Sequence, residues 1–361
     1  MFIILLLISL SVFCLISIYN LFTAPVLGKY NSQLSDQKLV SVLIPARNEE
    51  KNIVKCIERV LSQDYKNKEI IILDDNSTDK TYELASSYKV ENVKLLKGND
   101  LPIDWLGKNW ACHQLSEASN GEYLLFLDSD VELRTEVISS AVYELEKSNT
   151  SLLSIFPTQI IKTFGEHLIV PLMNWLLLTF LPLKFVYSSS SKSFIAANGQ
   201  FMLWKKDDYK RLGGHNKVKD KVVEDMELAR LAKLNQLKVK TMLGGELIYC
   251  RMYNSFDESY NGFQKNFYAG FSINPILFLI IISFLLVVFL SPILVIKNTF
   301  YSFIPLILVI VTRITISIKS KQNWFFNVLL HPLQMLLMFW IGIVSVIKFE
   351  TKQLVWKQRK L

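Results

Sequence analysis

Phe126-Leu127-Asp128-Ser129-Asp130-Val131 is an apolar run that ends in two carboxylates one residue apart. The uniformly apolar Tyr123–Leu127 reads as a buried strand, with both aspartates where it leaves its sheet. In an open α/β sheet, that carboxyl edge is where ligands sit. Two carboxylates share such a place cheaply only when a cation lies between them or one takes a proton. A hard ion such as Mg2+ or Mn2+ fits, held by one or two carboxylates together with substrate phosphates. Alone, an Asp-x-Asp after a strand is an ordinary solvated turn, so its meaning depends on the rest of the chain.

Upstream, the same pattern repeats. Leu39–Ile44 reads as a first buried strand ending at Pro45-Ala46-Arg47-Asn48-Glu49-Glu50, and Asn52–Ser62 follows as a helix with Ile53, Ile57 and Val60 on its inner face. Glu69–Leu73 is a second strand, ending at Asp74-Asp75-Asn76-Ser77-Thr78-Asp79, where Ser77 to Asp79 offer N-caps for a helix through Ser87. Asn92–Leu96 is a short third strand, Leu101–Lys108 a loop and Asn109–Ala118 a helix before the fourth strand. Apolar strands alternating with helices call for a parallel sheet covered on both faces. Three of the four strand ends carry acids, with Arg47 and Lys108 close by, which suits a metal and a nucleotide diphosphate. No G-x-G-x-x-G and no P-loop lysine motif is present, so dinucleotide dehydrogenase and P-loop NTPase readings lose their main support.

The chain has 361 residues, 51% of them hydrophobic, and the apolar excess gathers at the two ends. Phe2–Phe22 carries no charge and is long enough to span a bilayer. It lacks the basic n-region and cleavage site of a signal peptide, so residues 1–24 are expected to be a retained anchor. Lys29 and Lys38 behind it put the following domain in the cytoplasm by the positive-inside rule. Tyr30–Lys38 reads as a polar linker, 39–270 as the soluble domain, 272–348 as a membrane region and 349–361 as a basic tail. The membrane region holds Ile273–Ile296, Phe300–Ile318 and Trp324–Ile347. Three crossings there would leave the tail outside, whereas Lys348, Lys352, Lys357, Arg359 and Lys360 ask for the inside, so one segment is expected to be re-entrant or interfacial. The apolar stretch 167–187 is expected at the membrane interface, because a crossing there would split the acidic groups between two sides. The net charge of +8 follows the apolar flanks and the stretch Lys205–Lys221, which suits an anionic membrane surface. No nucleic-acid-binding motif is found. Four scattered cysteines without a C-x-x-C pair suggest neither disulfides nor zinc.

Further on, Val222–Arg230 reads as the start of a helix that carries Glu224 and Asp225 near its amino terminus, where the helix dipole favours an ionised carboxylate. Taken alone, Glu224, Asp225 and Glu227 with Arg230 make a salt-bridged surface helix. His215 beside Gly213-Gly214 reads as structural.

Ser41–Glu50, Leu73–Asp79, Asp128-Ser129-Asp130 and Glu224-Asp225 stand in the order and spacing of the inverting family 2 (GT-A) glycosyltransferases, which residues 39–270 resemble. Leu101-Pro102-x-x-Trp105-x-Gly107-Lys108 and Gly262-Phe263-x-Lys265-Asn266 are similar to a narrower group that glycosylates membrane isoprenoids, carotenoid acids and hopanoids among their acceptors. The resemblance implies a Rossmann-like nucleotide-diphospho-sugar transferase fold flanked by transmembrane helices. It also implies roles for residues. Pro45, Arg47 and Glu49 would line a uridine pocket, with Asp75, and Asp74 beside it, at the uracil edge. Lys108 would lie near the diphosphate. Asp128 would face the sugar or ribose, and Asp130, with Asp128, would hold Mg2+ or Mn2+. Asp225, preceded by Glu224, corresponds to the catalytic base. The Gln-x-x-Arg-Trp motif of processive members is missing from Gly262–Phe267, which argues for a single sugar transfer. The expected function is transfer of one sugar, glucose from UDP-glucose, to a lipid acceptor with inversion. A carotenoid carboxylate is the first choice of acceptor; polyprenyl phosphate, hopanoid and diacylglycerol are the alternatives. The expected setting is the plasma membrane, with other enzymes of the lipid pathway as partners. The reading from a different class is a non-catalytic membrane scaffold with a degenerate fold of this type.

Overall fold

The structure is a computed structural model that describes residues 2–30, 37–88, 90–296, 300–356 and 359–360. Most of the expected linker Tyr30–Lys38 and Lys357 of the basic tail lie outside these residues.

A long apolar helix, α1 (Phe2–Thr23), leads into an α/β domain. Its strands and helices alternate as β1 (Val40–Ala46), α2 (Ile53–Leu61), β2 (Lys68–Asp74), α3 (Thr81–Ser86), β3 (Val93–Lys97), α4 (Gly107–Glu117) and β4 (Tyr123–Leu127). Then come β5 (Val131–Leu133), α5 (Val137–Lys147), β6 (Leu152–Phe156) and β7 (Thr158–Gln159), followed by the short helices α6 (Phe164–Ile169), α7 (Pro171–Phe180) and α8 (Phe185–Ser188). The domain closes with β8 (Phe201–Lys205), α9 (Lys206–Leu212), a 3-10 turn (Gly214–Val218), α10 (Glu224–Leu234), β9 (Val239–Leu243), β10 (Ile248–Cys250) and α11 (Phe256–Phe271). Among the described residues, α12 (Pro275–Leu294), α13 (Ile304–Lys319), α14 (Trp324–Leu329) and α15 (His331–Glu350) follow. The chain ends in the small strands β11 (Val355–Trp356) and β12 (Arg359–Lys360).

Among the described residues the main sheet has seven strands in the order β3-β2-β1-β4-β8-β6-β9. The four strands expected from sequence are present within two residues of their expected bounds and run parallel, as expected. Beyond them the sheet is mixed, because β8 runs antiparallel between β4 and β6. β1, β2 and β4 are buried on both faces, which explains their uninterrupted apolar runs. β3 is the edge strand, where Lys94 and Lys97 discourage further pairing. The caps expected at Ser77–Asp79 are used differently. α3 begins only at Thr81, Asp79 accepts from the Thr81 N–H at 3.0 Å, and Ser77 Oγ accepts from Asn48 N–H at 3.0 Å. These side chains therefore tie the ends of β1 and β2 together.

α1, α12, α13 with its preceding turn (Tyr301–Lys319), and α15 are long and apolar enough to cross a membrane. α1 and α13 run side by side, with Thr315 Oγ1 donating to Ser17 Oγ at 3.0 Å and Lys319 Nζ donating to the Leu21 carbonyl at 3.2 Å. The expected segment Trp324–Ile347 is broken between α14 and α15 at His331-Pro332. α15 lies along α11 of the domain, joined by Ser345 Oγ to the Gln264 carbonyl (2.6 Å) and Trp340 Nε1 to Tyr260 Oη (2.9 Å). The stretch 167–187 forms α7, α8 and the end of α6, with Leu172, Trp175 and Leu178 buried between domain and apolar helices.

Gly121, at the turn into β4, sits against backbone: an added Cβ would lie 2.6 Å from Ser41 N and 2.7 Å from the Leu39 carbonyl oxygen. Gly270 on α11 has nothing within 4 Å. Gly121→Ala is therefore expected to cost about 1–3 kcal/mol. Gly270→Ala, which only gains helix propensity, should be neutral or stabilise by roughly 0.5–1 kcal/mol. Thermal unfolding of the detergent-solubilised protein checks both.

Candidate active site

The carboxyl ends of β1, β2 and β4, the amino end of β8 and the first turns of α4 and α10 converge on one edge of the sheet. At the β1–β2 side, the turns are made by Asn48 (φ 52°) and Asn76 (φ 53°), left-handed positions that asparagine tolerates better than most residues. Arg47 Nη1 donates to the Asp75 and Asn76 carbonyls at 2.6 and 3.0 Å, and Glu49 accepts from Asn52 Nδ2 at 2.8 Å. Asp74 Oδ2 accepts from Ser77 N–H at 3.3 Å, whereas its Oδ1 is buried without a hydrogen bond. Pro45 pairs with Leu73 in the sheet. Asp75 is buried and forms an ion pair with Arg359 of the tail at 2.5 Å. Burial pushes the Asp75 carboxyl up, against the pull of Arg359 and Arg47. The tail therefore lies against the same edge as the strand ends.

The second part of the site is centred on Lys108, in the first turn of α4. Its ammonium lies 3.0 Å from both carboxylate oxygens of Asp128 and 3.2 Å from Glu224 Oε1. Burial opposes the charge on Lys108, but Asp128 and Glu224 outweigh it and hold the lysine protonated. Asp225 accepts two backbone hydrogen bonds, from Gly199 and Met226 N–H, both at 2.7 Å. A Cβ on Gly199 would lie 3.1 Å from Lys108 Nζ and Glu224 Oε1 and 3.4 Å from Asp225 Oδ2, so glycine lets the backbone reach all three. Burial and then Glu224 raise Asp225 to about 7, against Lys108 and the two N–H donors. Burial would raise Glu224 as well, yet Lys108, Lys265 and His215 bring it below its usual range. Neighbouring carboxyls thus hold different protonation states near neutrality, a pattern found where proton transfer is needed. His215 is buried, bonded to Tyr209 through its ring Nδ1 (2.6 Å) and its N–H (3.0 Å), and lowered to about 3 mainly by burial, which suits the structural role expected.

The two parts meet at Gly107-Lys108. A Cβ on Gly107 would lie 3.1 Å from Asp75 Oδ2. Arg359 Nη1 lies still closer to that position, at 2.5 Å, so the Asp75–Arg359 pair is packed against the first turn of α4.

Asp130 lies on the other side of Asp128. The Cys250 thiol hydrogen-bonds to it, and Gln200 Nε2 donates to Cys250 Sγ at 2.9 Å. Cys250 is held there because β10 pairs with β5, which begins at Val131. Burial and then Asp130 push the Cys250 thiol up, so it stays protonated. Among the described residues no group of three or more His, Cys, Asp or Glu side chains is placed to hold a metal. The donors present still fit a divalent ion: Asp128 and Asp130 supply carboxylates, and Gln200 Oε1 is a buried hard oxygen with no hydrogen bond. One or two carboxylates plus phosphate oxygens are what Mg2+ takes.

Sequence reasoning missed Cys250, Lys265 and Arg359 as parts of this site. Cys250 and Arg359 have no local signal, because strand pairing and the return of the tail bring them in. Lys265 is part of a quoted motif but was given no role.

Residues 41–196 match the profile of Glycosyl transferase family 2. Over these 156 of 361 residues the chain is similar to family 2 glycosyltransferases. A 4,4'-diaponeurosporenoate glycosyltransferase of Staphylococcus haemolyticus is 32% identical over 238 residues, covering 64% of this chain and 62% of that one. Its counterpart in Staphylococcus aureus strain USA300 is 29% identical over 241 residues, 65% and 62% of the two chains. The match therefore spans about 62% of the length of these curated relatives. Among solved structures, a mannosyltransferase from Pyrobaculum calidifontis in complex with GDP-Man and Mn2+ superposes over 94% of both chains with TM-score 0.57 at 14% identity. That likeness shows a common fold: a mixed α/β, Rossmann-like GT-A domain with apolar helices beside it. Asp225, in α10, lies beyond the matched segment of the family 2 domain.

Replacing Lys108 by methionine leaves two carboxylates without their cation. Breaking a buried pair in this way costs roughly 3–5 kcal/mol. Lys108 is a third exposed, so a smaller loss is expected, still several degrees in thermal unfolding. Lys108→Arg, which keeps the charge, should recover part of it.

Proposed function

We propose that the protein is a membrane-anchored inverting glycosyltransferase. It moves one glucose from UDP-glucose to a lipid, and the acceptor group is the carboxyl of a C30 carotenoid acid, 4,4'-diaponeurosporenoate. The observation that carries the enzymatic reading is the Glu224-Asp225 pair, buried Glu224 beside half-buried Asp225, facing Lys108 and Asp128 at the ligand-binding edge of the sheet. The named relatives support the choice of acceptor. The apolar helices against α6, α7 and α11 support a lipid substrate. The basic residues behind α1 support a catalytic domain on the cytoplasmic side of the plasma membrane.

In this reading Pro45, Arg47, Glu49, Asp74 and Asp75 receive the uridine at the ends of β1 and β2. Lys108 takes the diphosphate, whose charge grows as the sugar leaves. Asp130 and Asp128 hold a divalent ion, which neutralises part of that charge when bound. Asp225 acts on the acceptor oxygen. A hydroxyl acceptor has to lose its proton to Asp225. A carboxylate acceptor is already ionised, and Asp225 in its neutral form, below about 7, then donates a hydrogen bond that keeps it in line with the anomeric carbon. Glu224 sets the charge state of Asp225 and holds Lys108.

Radiolabelled UDP-glucose offered in membranes with 4,4'-diaponeurosporenoate, a hopanoid and undecaprenyl phosphate tests the acceptor. Label on the carotenoid acid is expected; label on another lipid keeps the enzyme class and rejects this acceptor. EDTA should abolish transfer and Mn2+ or Mg2+ restore it, and indifference to chelation would remove the metal role of Asp130.

Asp225→Asn should keep UDP-glucose binding and lower turnover by roughly 10²–10⁴-fold, the usual contribution of a general base, for any hydroxyl acceptor. The base form of Asp225 exists above about 7, so transfer to a hydroxyl should fall as pH drops through that value. Glu224→Gln removes a neighbouring negative charge and should move this limb to lower pH. A carboxylate acceptor should show no such limb, and pH profiles of kcat/KM separate the two cases.

A further inference from the structure

Arg313 lies in the middle of α13, 2% exposed, in the helices that are apolar enough for a membrane. An arginine side chain stays protonated in proteins. A guanidinium in such a place is expensive and is ordinarily matched by an anion or a water-filled cavity. Among the described residues no carboxylate forms an ion pair with it. α1, α7, α12, α13 and α14 contain no acidic residue, and the single acid of α15, Glu350, is at its far end. Nearby on α6, Glu166 is already bonded to Arg251 at 2.8 Å.

The partners of Arg313 are neutral. Nε donates to His331 Nδ1 at 2.7 Å, and Nη2 donates to Gln334 Oε1 at 2.6 Å. His331 accepts at Nδ1, so its proton is on Nε2, which faces the Phe289 carbonyl at 3.2 Å. The imidazole therefore adds no charge. The guanidinium also lies 5.2 Å from the centre of the Trp175 ring. Gln334 is held in turn by the His167 carbonyl at 2.8 Å, which fixes the cluster against α6. Arg313 is thus oriented by two side chains and an aromatic face, while its charge is left uncompensated.

Beside it is a cavity of about 50 Å3, more than one water needs, lined by Arg313, His331, Phe289, Ile293, Val309 and Ile310. Ile293 is exposed on the outer face of α12, so the cavity opens where lipid would be. It is not the site of sugar transfer. Gln334 and Ser345 are eleven residues apart on α15, roughly 16 Å by helix rise, and Ser345 is the residue that touches α11 at Gln264.

We propose that Arg313, with His331 and Gln334, forms a binding site within the apolar helices for a membrane lipid bearing one anionic group, a carboxylate or a phosphate. The apolar walls take the start of its acyl or isoprenoid chain. Full-length protein in a neutral maltoside detergent, titrated with oleate, phosphatidylglycerol, monoolein or inorganic phosphate, tests this by native mass spectrometry. Oleate or phosphatidylglycerol is expected to bind in preference to monoolein, and which of the two binds tighter identifies the anion. Arg313→Gln should weaken that binding at least tenfold. Ile310→Trp, which fills the cavity and leaves the cation in place, should do the same and decides the matter if Arg313→Gln does not fold. Acidic lipid bound no better than monoolein, or bound equally by wild type and a folded variant, overturns the proposal. Inorganic phosphate bound as tightly as the lipids overturns its lipid part.

Discussion

Lys108 is the residue on which this site depends. One ammonium joins Asp128 at the end of the central strand to Glu224 at the start of α10, two elements almost a hundred residues apart. Without a cation, the acids gathered at this sheet edge would repel one another in a region of reduced solvent, where such repulsion is strong. With it, Glu224 stays ionised, and its negative charge, together with burial, leaves Asp225 poised near neutrality. Gly199 completes the arrangement, since any side chain there would contact all three charged groups.

The relation between this edge and the apolar helices follows from a second set of contacts. Arg359, after the last helix, reaches Asp75 among the β1–β2 turns. Both ends of the segment from α12 to the tail therefore lie against the domain. Three helices long and apolar enough to cross a membrane lie within that segment. α15 is packed along α11 through polar contacts at Gln264 and Tyr260.

Half-buried Lys108 and buried Arg313 differ in how their charge is met. Lys108 is neutralised within the chain by acids, as a site that handles charged substrates requires. Arg313 has only neutral hydrogen-bond partners, in a region with no acid to offer. Both are geometrically fixed, but only one is electrostatically complete.

Much of this was legible in the sequence. The apolar strands 39–44, 69–73 and 123–127 could be read because burial on both faces removes the alternation that a half-exposed strand would show. Asp75, Asp128, Asp130, Glu224 and Asp225 could be marked because each stands at the end of such a strand or at a helix start. Lengths and charges of the apolar segments exposed the problem of their number without solving it. What tertiary structure decided depends on distance through space. β8 enters the sheet antiparallel, β10 delivers Cys250 to Asp130, and the tail returns to Asp75. The Lys108 clamp and the Arg313–His331–Gln334 cluster likewise arise only when distant helices and strands pack. Local periodicity reports which face of an element is buried, but not which element covers it, and the covering element determines the partner of each charge.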